Sequence, residues 1–278
     1  MIVSLVVCAW PAMVVAQQTT QQTTQQTKPS AERQQASEAS SKQPDALITD
    51  RPDFTESSST VPAMRLQLEA GLQYTHNDLV DGAQPPGHTG SFDSNSVSAP
   101  NLLLRFGVSD FAELRLGVPN VAYESITGGG DDIVFGELSL GAKLATALAD
   151  TVRIGVIPFA DVGTESGHFG GGVITTAAVD VTETVGLGVN AGLTTYVDHL
   201  DERQYEGRTS VAIGFGMTEK LGGFVETYAL IPEGDVDLFV DTGLTYLLTP
   251  TVQLDAYLGT HVPDAYQIFA GAGVSTLF

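Results

Sequence analysis

A chain of 278 residues fills one large domain or two small ones, so length alone leaves a single large barrel open. Apolar residues make up 42% and charged residues 16%, but beyond the N-terminus no apolar run approaches the roughly 20 residues of a membrane helix, which excludes helical spanning by the mature chain. Lys and Arg total 12 against 33 Asp and Glu, a net charge of -21, and without a basic stripe to neutralise phosphates the balance excludes nucleic acid as a partner. Such acidity keeps a chain soluble, binds divalent cations, or biases a pore towards cations.

In chain order, Ile2 to Ala16 forms an apolar stretch closing on Val14-Val15-Ala16 before Gln17, the pattern of a signal peptide over residues 1–16. Export is the expectation, and the lack of Lys or Arg ahead of the run points to a start further upstream. The only cysteine, Cys8, lies within this stretch, so the mature chain has no disulfide framework. A lipidated cysteine calls for a smaller residue before it than Val7. Residues 17–46 are Gln, Thr and Ser with scattered charges, too poor in apolar side chains to offset the entropy of ordering, and read as a disordered periplasmic tether.

The texture changes at Leu47. Pro52 and Pro62 argue against a central strand over 47–63, where two carboxylates, Asp50 and Asp53, flank Arg51, with Glu56 close by. Two readings stand for this segment. It enters the periplasmic mouth of a pore and pairs with lumen charges as a plug or constriction, or it is a hydrogen-bonded cap leading into the first strand.

From Met64 to Phe278 the dominant signal is two-residue alternation, which sends successive side chains to opposite faces of a strand. Leu66, Leu68, Leu72 and Tyr74 share one face, and Arg65, Gln67, Glu69 and Gln73 the other. Leu114 and Leu116 oppose Glu113 and Arg115, Leu140 and Leu144 oppose Gly141 and Lys143, and Leu254 and Leu258 oppose Asp255 and Tyr257. Such runs predict about twelve strands near the length of 9 to 11 residues that crosses a bilayer at a tilt, centred at Leu68, Leu103, Leu116, Leu140, Ile154, Ala177, Val189, Ile213, Val225, Val240, Leu254 and Ala272.

The connections alternate between tight and long. Tight turns are expected at 108–111, 149–151, 181–184, 217–220 and 248–251, with looser loops at 78–95, 125–131, 163–172, 199–206, 233–234 and 263–264. That is the arrangement of an even-stranded up-and-down barrel with both termini on the tight-turn side, the periplasmic one. A two-sheet sandwich shares the alternation but buries its apolar face. Export, loop asymmetry and a last strand ending on Phe278 favour the inverted, lipid-facing arrangement, in which closure satisfies the backbone. The terminal aromatic resembles the recognition signal of outer-membrane barrels, which implies their assembly machinery and outer-membrane lipids as partners. Glycines on the polar face, among them Gly71, Gly141, Gly214 and Gly273, either relieve strain in a curved wall or leave room inside.

Charges on the lipid face cost about 2 to 4 kcal/mol for Arg or Lys near the midplane, so parity assigns Glu69, Arg105, Glu113, Arg115, Glu137, Lys143, Arg153, Asp237, Asp241 and Asp255 to the lumen. There they form an electrostatic filter of both signs or a salt-bridge network closing a narrow barrel. His76, His88, His168, His199 and His261 all fall near the long-loop ends without metal-ligand spacing, and read as polar loop residues. No catalytic, metal or cofactor motif is present: there is no G-x-S-x-G, no Walker A sequence and no Cys pair.

The run Thr49-Asp50-Arg51-Pro52-Asp53-Phe54-Thr55-Glu56-Ser57, followed by Val61-Pro62 and Gln67-Leu68-Glu69-Ala70-Gly71, resembles the MetA-pathway of phenol degradation family of exported proteins. Glu113-Leu114-Arg115-Leu116-Gly117 and the stretch from Gly136 to Lys143 are also similar to it. The resemblance implies an outer-membrane barrel and uptake of aromatic or other hydrophobic compounds. The sequence therefore predicts a cofactor-free channel or transporter for a small-molecule substrate. The alternatives are a barrel hydrolase acting on lipid through a Ser-His pair at the outer rim, and a structural or adhesive barrel with a blocked lumen.

Overall fold

The computed structural model describes residues 47–79, 92–127, 129–197, 201–232, 235–262 and 265–278. The expected signal peptide and tether, together with His88 and His199, lie outside them. Fourteen strand segments follow in chain order: β1 (Leu66–Leu79), β2 (Phe92–Ser109), β3 (Ala112–Val118), β4 (Val121–Ile126), β5 (Gly130–Phe135), β6 (Glu137–Ala149) and β7 (Val152–Gly163). They continue with β8 (Phe169–Asp180), β9 (Val185–Val197), β10 (Arg203–Gly216), β11 (Leu221–Ile231), β12 (Asp237–Thr249), β13 (Val252–Val262) and β14 (Gln267–Leu277). β3 with β4, and β5 with β6, are single staves broken at Pro119-Asn120 and at Gly136, so the wall has twelve antiparallel staves. Each of the twelve expected centres falls in a different stave.

Closure comes from β1, which pairs with β2 on one side and β14 on the other, in the registers Gly71↔Asn101 and Gly71↔Gly273. The Phe278 amide donates to the Leu66 carbonyl at 2.8 Å, and the Arg65 side chain donates to the Phe278 carbonyl. With no edge left, the strands pair all the way round, the condition for crossing lipid with strands. The five short connections all lie at the end where β1 begins and β14 finishes.

Several strands run longer than expected. β1 and β2 stay paired out to Leu79↔Phe92, and β4 and β5 pair with β2 and with each other above the main wall. The loops foreseen at 78–95 and 125–131 are correspondingly shorter. In β7, Pro158 has no amide hydrogen to donate, and the β6–β7 ladder is unbridged between Gly141↔Phe159 and Leu144↔Val156.

The outward face is apolar. Leu72, Leu114, Leu140, Leu193, Val225, Leu244 and Leu258 are exposed, while Gln67, Glu69, Arg105, Glu113, Lys143, Ser210 and Glu226, on the opposite parity, are buried inside. Exposed aromatics mark both rims of this belt: Phe106, Phe111 and Tyr246 on the tight-turn half, and Tyr74, Phe169, Tyr196 and Tyr205 on the long-loop half. The interior is not wholly polar, because Ile157, Ile174, Phe224, Phe239 and Phe269 are also buried there.

Candidate functional site

The lumen holds the segment that precedes β1. It enters as a re-entrant loop whose two limbs stand at the tight-turn mouth. The Ile48 carbonyl accepts from Gln67 at 2.8 Å on the first limb, and the Thr60 hydroxyl donates to the Asp110 carbonyl at 3.1 Å on the second. Its tip, Phe54, lies between the Tyr228 ring, with centroids 4.2 Å apart, and the Arg208 guanidinium, also 4.2 Å away. Proline and the lack of alternation keep this segment out of the sheet, and its polar side chains then find partners across the wall.

The principal anchor is a buried ion cluster. Asp50 accepts from Lys143 Nζ at 2.8 Å on both oxygens and from Arg115, and it pairs with Arg105 Nη1 at 3.2 Å. Arg115 Nη2 reaches Glu56 at 2.7 Å, while Arg105 bridges Glu113 at 2.8 Å and Glu69 at 2.9 Å. On the wall itself three cations, Arg105, Arg115 and Lys143, face two carboxylates, Glu69 and Glu113, leaving a positive patch inside a strongly acidic chain. The loop supplies Asp50 and Glu56. Buried charges persist only when paired and hydrogen-bonded, so wall and loop each complete the other.

Further contacts tie the loop to the far wall. The Phe54 amide donates to Glu226 at 2.6 Å, Thr55 Oγ1 donates to Glu226 and shares a 2.7 Å hydrogen bond with Ser210, and Arg51 Nη2 meets Asp255 at 3.1 Å. The Asn190 amide faces the Glu56 backbone, with its oxygen 2.6 Å from the N–H and its nitrogen 3.2 Å from the carbonyl. The Arg51 guanidinium occupies a niche at the β1–β14 seam: a Cβ on Gly71 would stand 2.3 Å from it, and one on Gly273 2.5 Å. Burial, and next the Glu226 carboxylate, push the Asp53 carboxyl well above its ordinary value. Asp50 experiences the same burial, but Arg105, Lys143 and Arg115 outweigh it and hold that carboxyl well below the ordinary value.

Of the residues singled out from sequence, Asp50, Glu56, Glu69, Arg105, Glu113, Arg115 and Lys143 converge in the one cluster, and Arg51 with Asp255 forms a second contact. Asp241 is buried deeper along the wall. Glu137, Arg153 and Asp237 stand apart at the rims: Glu137 is exposed, Arg153 pairs with Asp180 at 2.7 Å, and Asp237 lies 3.8 Å from His261. Parity fixes a face and says nothing of depth, which is why these three were grouped with the rest. Glu226, Arg208, Ser210 and Asn190 escaped the sequence reading, although the rule that a charge within a strand faces inwards covers Glu226 and Arg208. His76 contacts Asn95 and Asp78, and His168 lies 3.3 Å from Asp201.

The loop divides the interior. Between it and β8–β10 lies a cavity of about 910 Å³ that extends to the turn residues Thr184 and Met217. Towards the long-loop end, Glu56, Arg115, Arg208, Ile157, Phe159 and Ile174 line a second cavity of about 240 Å³.

Residues 49–278 match a family model described as "Putative MetA-pathway of phenol degradation". Among solved structures, an outer membrane channel from Pseudomonas putida is similar to this chain at 13% identity and a TM-score of 0.63, over 82% of this chain and 100% of that one. A KdgM porin solved with oligogalacturonate matches at 12% identity and a TM-score of 0.48, over 76% of this chain and 98% of that one. At these identities the likeness is one of fold, that of the outer-membrane β-barrels. No curated protein sequence matches the chain.

Proposed function

The chain belongs to the family whose model spans residues 49–278, and from that premise we propose that it is an outer-membrane channel for passive movement of small molecules, with residues 47–61 as a constriction inside its pore. The observation that carries this reading is a lumen with space on both sides of a loop that is not part of the wall, held there by side-chain contacts alone. A barrel whose interior served only to be filled would close the gap with wall side chains. Apolar inward residues such as Ile157, Phe159 and Ile174, which line a cavity with Arg115 and Glu56, suit solutes with an aromatic or aliphatic body, the class that the family description points to. Arg105, Arg115 and Lys143 against Glu69 and Glu113 lie beneath the loop and would act as the filter of both signs where it moves aside.

Planar-bilayer recording of the purified full chain tests this. We expect a small conductance that rises when Asp50→Ala removes the shared partner of Lys143 and Arg115, because each would then be buried with a counterion missing, a loss of about 3–5 kcal/mol for a buried pair. Silence in both proteins would overturn the channel and favour a blocked structural barrel. Release of fatty acid from the lipid would favour the hydrolase.

A further inference from the structure

We propose that the 240 Å³ cavity on the long-loop side of the re-entrant segment is a binding site for a small aromatic carboxylate, with Arg208 as its anchor. This inference rests on the channel reading and narrows its substrate class. Arg208 extends from β10 into the lumen, where its guanidinium lies over the face of Phe54; Glu56, Glu206 and Asp161 act on it through space, but it makes no hydrogen bond or ion pair with the described residues. The other cation of the cavity, Arg115, is already committed to Asp50, Glu56 and Glu113. The one carboxylate on the cavity wall, Glu56, is in turn held by Arg115 at 2.7 Å. Arg208 is therefore the cation of the cavity lining that has no ion-pair partner within 4 Å among the described residues.

A free guanidinium presents a planar fork of donors that matches a carboxylate in bidentate fashion. Ile157, Phe159 and Ile174 line the same cavity, an apolar wall that favours a ring over a second polar group. At about 240 Å³ the space lies below the roughly 300 to 1,000 Å³ of clefts that hold drug-sized ligands, which limits the occupant to a single ring with its charged group. A cation would meet Arg208 and Arg115, and a neutral phenol would offer the fork a single uncharged acceptor. A carboxylate would hydrogen-bond to the Arg208 fork while its ring covers the apolar wall.

Calorimetric titration of the detergent-solubilised full chain with benzoate tests the site, with phenol supplying the ring without the charge and acetate the charge without the ring. Saturable benzoate binding is expected, weakened roughly tenfold to a hundredfold by Arg208→Gln, which removes a charged hydrogen-bond partner, and partly kept in Arg208→Lys. Phenol and acetate should each bind more weakly than benzoate. Ser139→Phe fills the cavity without removing a charge and should also abolish binding, so the test survives if Arg208→Gln fails to fold. Benzoate binding unaltered in either variant would overturn the site, as would equal affinity for phenol. A conducting wild type that takes up no benzoate would sink the site and leave the channel standing. Arg208-dependent binding in a non-conducting protein would do the reverse.

Discussion

Asp50 and Asp53 lie three residues apart on one loop and meet opposite fields. For a docked loop the withdrawn loop is the reference, so each pKa shift becomes a statement about docking. Asp50, held low by its three cations, contributes stability above its ordinary value of 3.8, which is lost only as pH falls through the depressed one. Asp53, raised by burial and by Glu226, works the other way: its favourable contribution is complete below 3.8 and disappears as pH climbs through the raised value, where an ionised carboxylate must sit near Glu226, Asp50 and Asp241. Glu56 is raised as well, by burial against the pull of Arg115. Conductance measured from mildly acidic to neutral pH should therefore increase as the loop loosens. Asp53→Asn should flatten that rise and lower the neutral-pH conductance, with Glu56 supplying what dependence remains. Equal pH profiles in the two proteins would remove Asp53 from control of the loop. None of this was legible in the sequence, where Asp50 and Asp53 are alike; only the wall residues that meet them tell them apart.

At the scale of elements, alternation was a sufficient guide wherever one face meets lipid, as in β1, β3 and β13, because a slip of one residue would turn each charge outwards. It failed at β4 and β5. There Ile133-Val134-Phe135 is apolar on both parities, and Pro119 and Gly136 interrupt the runs, so paired strands resemble a loop. The glycines divide in the same way. Gly71 and Gly273, partners across the β1–β14 seam, leave the space that Arg51 occupies, whereas a Cβ on Gly214 would meet nothing within 4 Å. Gly71→Leu should expel Arg51, part it from Asp255 and raise conductance, with the folded barrel still resistant to unfolding in cold detergent. Gly214→Ala should record like the parent chain. If Gly71→Leu also conducts like the parent, the niche does not hold the loop.

For the molecule as a whole, solvent roles are exchanged between its two surfaces. In β11, Val225 faces out, 54% exposed, while its neighbour Glu226 is 2% exposed within. Val225→Arg, halfway along that strand, should cost about 2–4 kcal/mol of folding free energy in lipid vesicles, read from denaturant titration. A neutral outcome would mean that this face does not contact acyl chains. A last consequence concerns how the interior is occupied. Because both limbs of the re-entrant loop emerge at the same opening, it enters like a bight of rope and not like a threaded end. On the channel reading proposed above, withdrawing such a bight would clear the bore without parting the seam that Phe278 latches.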